Sequence, residues 1–300
     1  RLLGNFVSTR LLVHNLLRLA PRFGAVKLAE AVGVLAVEGH LRHPPDGGLV
    51  VACGAAPARW DDHHVARTLL ATERPGDTIA LAKHCEDLGY ARFWVSEHHD
   101  HPSIVGTAPE IVMAAVAQST DRIRIGSAGV MLPHYAPLKV AEQFRVLEAI
   151  APGRIDLGLG RAPGSDGKTA LALNPNAGED AEHFPANVRD LMAWVSGEEL
   201  MEGHPFRGVE AHPMFPGSPE VWMLGTSDYG AQVAAHFGLP YCFAHFITDG
   251  HGTDRALALY RERYQPSERH PEPMGSVCIW ALAAETEEEA WIQFESRMRW

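Results

Sequence analysis

The sequence is short of several things, and each shortage narrows what the chain can be. No apolar run approaches the ~18 residues that a membrane-spanning helix needs, so no membrane partner is expected. Cysteine is sparse: Cys53, Cys85, Cys242 and Cys278 stand far apart and form no CxxC pair. That spacing argues against a disulfide framework or structural zinc, and for buried free thiols in a reducing cytoplasm. Basic residues are outnumbered, 26 Lys+Arg against 37 Asp+Glu, for a formal net charge of −11. A nucleic-acid partner is disfavoured, because phosphate binding needs a basic surface. The 17 His are scattered and make no basic patch. There is no internal repeat or low-complexity array.

What is present fits one large core. Three hundred residues at 46% hydrophobic content accommodate a β/α barrel, which takes about 250, with an extra segment. Between Arg92 and Pro163, three short apolar strands recur at the roughly 30-residue interval of βαβ units. Phe93-Trp94-Val95 runs into Ser96-Glu97-His98-His99, Ile123-Arg124-Ile125-Gly126 into Ser127-Ala128-Gly129, and Ile155–Gly160 into Arg161-Ala162-Pro163. Polar and glycine residues at the carboxyl ends of successive parallel strands are where such a barrel builds a site.

The pattern predicts strands at 92–96, 123–128, 155–160, 221–224, 241–244 and 276–284. Helices are expected over 78–88, from a Thr107–Glu110 capping box to Gln118, from Pro137 along a stripe of Val140, Ala141, Phe144, Leu147 and Ile150, at 185–196, from 228 to His236, and at 252–265. An acidic Glu285–Glu289 stretch opens a last helix. Residues 162–184, rich in Gly, Pro, Asn and Asp, read as a long mobile loop of the kind that acts as a lid.

Residues 1–75 differ from the 76–300 barrel domain. They hold nine Lys/Arg against six Asp/Glu, and no acid precedes Glu30. This leader is compatible with a basic amphipathic targeting helix or with a fused, poorly packed segment, and the lack of an initiating Met suggests a fragment. Leu49–Cys53, near 48–53, is its candidate first strand. The count is then seven strands: an α/β barrel of TIM (β/α)8 type, incomplete, with the last strand missing.

Several stretches carry a specific resemblance: Trp94-Val95-Ser96-Glu97-His98-His99, Gly126–Pro133, Ala136–Phe144, Pro152–Pro163 and Leu224-Gly225-Thr226-Ser227-Asp228-Tyr229. Residues 77–300 resemble the bacterial-luciferase-like flavin monooxygenases. The resemblance implies a TIM barrel binding FMN at its strand ends. Reduced FMN, supplied by a separate NAD(P)H-flavin reductase, would react with O2 to a C4a-peroxide that oxygenates a small organic substrate. Cytoplasmic location and a homodimer go with it. It also implies that His98 is the catalytic histidine, that a non-proline cis peptide joins Ala128 and Gly129, and that Arg161 contacts the flavin.

The residues themselves support parts of this. An imidazole at a strand end can shuttle a proton near neutral pH, with Glu97 orienting a neighbour or pairing with a basic group. Small residues Ala128 and Gly129 let a flat ring approach the backbone. Arg161 presents a guanidinium fork suited to phosphate. The turn Gly225-Thr226-Ser227, with Gly230 beyond it, offers N–H groups at a helix N-terminus to an anion, provided that Asp228 turns away to cap the helix. His134, Tyr135, His245 and Phe246 could line a substrate cavity. Three alternatives stay open: a deazaflavin (F420)-dependent oxidoreductase of the same superfamily, a metal-dependent barrel hydrolase using His99 and His101, and a flavin-binding protein without turnover. Fewer than three convergent ligands argue against the metal.

Overall fold

The computed structural model describes residues 33–38, 49–53, 75–100 and 106–281. Nine strands share one sheet: β1 (Gly33–Glu38), β2 (Leu49–Cys53), β3 (Arg92–Val95), β4 (Arg124–Ser127), β5 (Val130–Met131), β6 (Ile155–Gly160), β7 (Glu220–Gly225), β8 (Tyr241–Ala244) and β9 (Gly275–Ala281). Seven of them, β2, β3, β4, β6, β7, β8 and β9, pair side by side in parallel and in chain order. Between the first and last of these lies β1, antiparallel to both. The architecture is thus α/β of the TIM-barrel type, incomplete in its parallel series as the strand count predicts. Residue pattern had not singled out β1, although Gly33-Val34-Leu35-Ala36-Val37 is a short apolar run bounded by a glycine and an acid. Both β1 and β2 fall within 1–75, so part of that segment belongs to the sheet. The targeting-helix reading of the leader and the helix from Glu285 lie outside the described residues.

Helices cover the outside: α1 (Pro75–Asp87), α2 (Pro109–Ser119), α3 (Pro137–Ile150), α4 (Gly167–Leu173), α5 (Ala177–Glu182), α6 (Phe184–Ser196), α7 (Asp228–His236), α8 (His245–Thr248) and α9 (Thr253–Arg263). Alternate strand residues point to opposite faces, and here the faces are chemically distinct. Phe93, Val95, Ile125, Ile155, Leu157, Leu159, Val221, Met223, Tyr241 and Phe243 turn outward into a core shared with Val116, Val140, Phe144, Leu147, Val188, Leu191 and Ala234 of the helices. Trp94, Trp222, Cys242 and Cys278 form a second cluster, with Ala128, Leu224 and Phe246 against it.

Three local expectations are corrected. Helix α2 starts at Pro109 with Ala108 as its cap and no side-chain capping bond, because Pro109 at the first helical position displaces Thr107 from the capping register. Ile150 is 39% exposed, being the last residue of α3 and past the turn that meets the barrel. The 162–184 stretch carries α4 and α5, started by an Asp166 side chain that accepts from the Lys168 and Thr169 N–H groups.

Below Trp94 and Trp222, toward the strand starts, sits a charged floor that residue pattern did not reveal. Asp156, fully buried, accepts from Arg92 Nη1 at 2.7 Å, Trp94 Nε1 at 2.8 Å and Arg124 Nε at 2.9 Å. Glu220 takes Arg92 Nη1 at 2.7 Å and Trp222 Nε1 at 3.0 Å. Burial opposes ionisation of Glu220, but the Arg92 and Arg124 charges prevail and hold its pKa at about 2. Gly126 is part of this arrangement: a Cβ there would stand 2.6 Å from two atoms of the Trp94 ring and 2.7 Å from Asp156 Cβ. No side chain larger than hydrogen lets the indole reach the carboxylate. In the outer core, burial pushes the Cys85 thiol up to about 11, as expected of an inert packed thiol. Among the described residues, no helix is long and apolar enough to cross a membrane.

Candidate functional site

The strand ends opposite the floor gather the residues that the sequence singles out. Past β3 the chain turns inward, and Glu97 is 2% exposed. Its carboxylate collects three donors: Tyr135 Oη at 2.6 Å and His99 Nε2 at 2.8 Å on Oε1, and the Met131 N–H at 3.0 Å on Oε2. The Met131 and Tyr135 partners flank a 3-10 turn, Leu132–His134. Glu97 therefore fastens the end of β3 to the segment after β4. Burial, then the hydrogen bond and charge of Glu97, push the Tyr135 hydroxyl well above the ordinary phenol range, so it remains a donor.

His98 has its N–H on the Gly106 carbonyl at 2.9 Å. Its ring lies beside Gly164 in the segment after β6. Gly164 has φ +53°, and a Cβ there would collide with the Met131 side chain and stand 3.1 Å from His98 Nδ1. The neighbour His134 is buried and holds the same segment through Nε2 and the Pro163 carbonyl at 2.8 Å. Asn174 adds a bond to the Pro133 carbonyl at 2.8 Å. The 161–183 stretch is thus fastened over the ends of β3 and β5. Alternation along the strand is visible in the pair: His98 meets the β6 side, and His99 meets Glu97 and Tyr135.

After β4, the Ala128–Gly129 peptide is cis. Ala128 is half-buried on the Trp94–Trp222 cluster. Gly129 presses on β6, where a Cβ would come within 2.8 Å of the Gly158 carbonyl oxygen. These two residues leave a flat, side-chain-poor shelf.

Arg161 follows β6 and is exposed, its guanidinium 4.1 Å from the centroid of the Tyr229 ring. Tyr229 belongs to the first turn of α7, directly after Gly225, Thr226 and Ser227. The two sides enclose an open cleft of about 610 Å³ lined by Arg161, Ala162, Pro163, Ala181, Glu182 and Tyr229. Of the sequence-predicted residues, Arg161 and the 225–230 turn are therefore brought together. Asp228 does leave the turn, but not to cap the helix as expected: Ser227 is the cap residue, and Asp228 pairs with Arg255 at 2.9 Å. The pull of a cation on α9 replaces the capping bond. Arg161 has no acidic partner among the described residues.

His245 opens α8 beyond β8, and burial lowers its pKa against the pull of Asp249 and Asp254. Phe246 reaches the inner cluster. Of the proposed metal pair, His101 lies outside the described residues, and His99 Nε2 is engaged by Glu97. No group of three His, Cys, Asp or Glu among the described residues could hold a metal ion. Sequence reasoning missed the Tyr135–Glu97–His99 assembly, since partners 38 residues apart leave no spacing signal.

Residues 56–300 match the family model of the luciferase-like monooxygenases. The protein YwcH of Bacillus subtilis (strain 168) is 45% identical over 213 residues, covering 71% of this chain and 63% of YwcH. A luciferase-like monooxygenase of Escherichia coli (strain K12) is 40% identical over 227 residues, 75% of this chain and 66% of that protein. The chain spans just under two thirds of the length of these curated relatives. The crystal structure of apo-MsnO8 superposes with a TM-score of 0.60 at 41% identity, covering 67% of this chain and 57% of that one. With the family model matched over most of the chain, on a barrel whose strand ends carry the family's motifs, this chain belongs to the luciferase-like monooxygenase family.

Proposed function

We propose that the chain is the oxygenating component of a two-component flavin monooxygenase, taking reduced FMN from an NAD(P)H-flavin reductase and acting with O2 on a small organic substrate. Reduced FMN, when bound, supplies the electrons that activate O2. The residues present fit that group. Arg161 would hold the phosphate with its guanidinium fork, with Gly225 at the end of β7 and the N–H groups of Thr226, Ser227 and Gly230 at the start of α7 adding donors and a favourable dipole. Ala128 and Gly129 admit the flat ring close to the backbone. His98, at the end of β3, holds or passes a proton at its imidazole. The 161–183 segment, fastened by His134 and Asn174, excludes water from the rim.

The observation that carries this reading is Arg161 resting on Tyr229 across an open cleft, with Asp228 drawn off by Arg255. An exposed cation with no acid partner among the described residues, beside a helix N-terminus, suits an anionic tail. Titrations of FMN and riboflavin, followed by flavin fluorescence, test it. The wild-type chain should prefer FMN, and Arg161→Ala should erase that preference, about a tenfold to hundredfold loss for a charge-assisted contact. Equal affinity for both flavins, or binding of a deazaflavin alone, overturns it. Oxygen uptake with NADH and a reductase then tests the chemistry, and His98→Ala should slow it while FMN affinity stays nearly unchanged.

A further inference from the structure

We infer that the 264–274 segment is a pH-sensitive strap across the strand-start end of the barrel, and that His270 is the group that releases it in acid. The segment joins α9 to β9 and is tied down on two sides. Ser267 Oγ and Tyr264 Oη donate to the Gly238 carbonyl at 2.9 and 3.1 Å. Gly238 has φ +61°, and a Cβ there would stand 2.5 Å from the Gln265 carbonyl oxygen, so the strap lies close on the turn after α7. On the other side, Arg269 donates to the Ser218 and Pro219 carbonyls at 3.1 and 2.8 Å, next to the first residue of β7. Between these ties, His270 is turned into the charged floor. Its side chain is 11% exposed, and Nε2 stands 3.9 Å from Glu220 Oε1. No described residue hydrogen-bonds that nitrogen.

The charges around the ring decide which form it takes. Glu220 on β7 faces it, against Arg92 on β3, Arg124 on β4 and Arg269 on the strap itself. Asp156 on β6 is committed to Arg92 and Arg124. Glu148 on α3 is a further acid acted on by Arg124 and Arg269, and burial pushes its carboxyl up, which weakens it as a counter-charge. Glu268 and Glu272 of the strap are exposed. Burial disfavours the imidazolium most, and the three guanidinium groups add to it; together they outweigh the pull of Glu220 and hold the His270 pKa below its ordinary 6.5. The closed strap therefore keeps His270 neutral. Opening it returns the ring to water, where it takes a proton near about pH 6.5. Because the closed state binds this proton more weakly than the open one, closure is strongest above that pH and weakens as pH falls. Glu220, with a pKa of about 2, stays charged throughout this range.

Hydrogen exchange of the full-length chain tests this at three strap amides. Ser267 donates to the His270 carbonyl, His270 to Ser267 Oγ and Met274 to Tyr260 Oη, each at 3.1 Å. After correction for the intrinsic exchange rate, opening should rise about fivefold to tenfold from pH 7.5 to 5.5, the linkage expected of one proton taken up, while amides of β6 keep their protection. His270→Asn, which does not titrate, should make strap exchange independent of pH over this range. Glu148→Gln, which removes the rival acid, should leave the wild-type dependence in place. Flat exchange in the wild type, or a dependence that survives His270→Asn, overturns the inference. Should His270→Asn fail to fold, a 15N titration of the assigned wild-type His270 ring decides. Its midpoint should lie below 6.5 and fall further in Glu220→Gln, which loses the one charge that favours the imidazolium. A midpoint at or above 6.5 overturns the inference, because Glu220 would then draw the strap tighter in acid.

Discussion

At the floor of the barrel, Arg92 and Arg124 meet Asp156 and Glu220, and the Trp94 and Trp222 indole N–H groups donate to the same two carboxylates. At the rim, Arg161 lies exposed against the ring of Tyr229, with no acid paired to it among the described residues. The same guanidinium group serves two ends of one sheet in opposite ways. Where every charge is answered from within, the cluster specifies packing and offers nothing to a ligand. Where a cation is held in place by an aromatic face, its hydrogen-bonding fork stays available. This division agrees with the general rule that residues at strand starts serve stability and those at strand ends serve chemistry.

The comparison can be broken most directly at the floor. Asp156→Asn leaves two guanidinium groups short of a buried counter-charge, and should cost about 3–5 kcal/mol in urea unfolding, with FMN affinity of the folded fraction unchanged. A large loss of affinity at normal stability would mean that floor and rim are not separate. Acid should expose the same network. With a folded pKa of about 2 against an ordinary 4.5, Glu220 contributes stability that is complete above pH 4.5. That contribution is lost as pH falls toward 2, at most about 3 kcal/mol by linkage. Unfolding free energies between pH 6 and 3 should decline, and Glu220→Gln should flatten that decline.

Smaller effects sharpen the picture. Gly126→Ala forces a methyl against Trp94, and overpacking of this kind should cost about 1–3 kcal/mol, read as a lowered Tm with Trp fluorescence altered. At the rim, Tyr229→Ala should weaken FMN by about twofold to fivefold, the value of an exposed cation–π contact. Tyr229→Phe, which keeps the ring, should leave the affinity near wild type. If Phe were as damaging as Ala, the hydroxyl and not the aromatic face would be the working part.

Much of this was legible before folding was considered. Strands 92–96, 155–160 and 221–224 were visible as apolar runs ending in glycine or polar residues, and the structure moves their bounds by a residue or so. Arg161 and the Gly225–Gly230 turn stood out because they follow the carboxyl ends of strands, where a β/α barrel builds its site. The floor did not stand out, since Arg92, Arg124, Asp156 and Glu220 each look like an ordinary charged residue at a strand edge. Their meeting depends on sheet register, with Arg92 opposite Arg124 and Asp156 opposite Glu220. Strand β1 escaped because a short apolar run reads alike for a strand and for a buried helix segment, and one of its antiparallel partners, β9, is distant in the chain.

By itself, the order of residues determined the alternation of strands and helices, the ends that carry polar groups, and the family motifs, because these depend on neighbours within one or two turns of chain. Only the tertiary structure decided which charge meets which. It gave Asp156 to two arginines, Asp228 to Arg255 and Glu97 to Tyr135 and His99, and left Arg161 to Tyr229. Pairing of charges depends on distance through space, and distance through space is set by how the sheet curls.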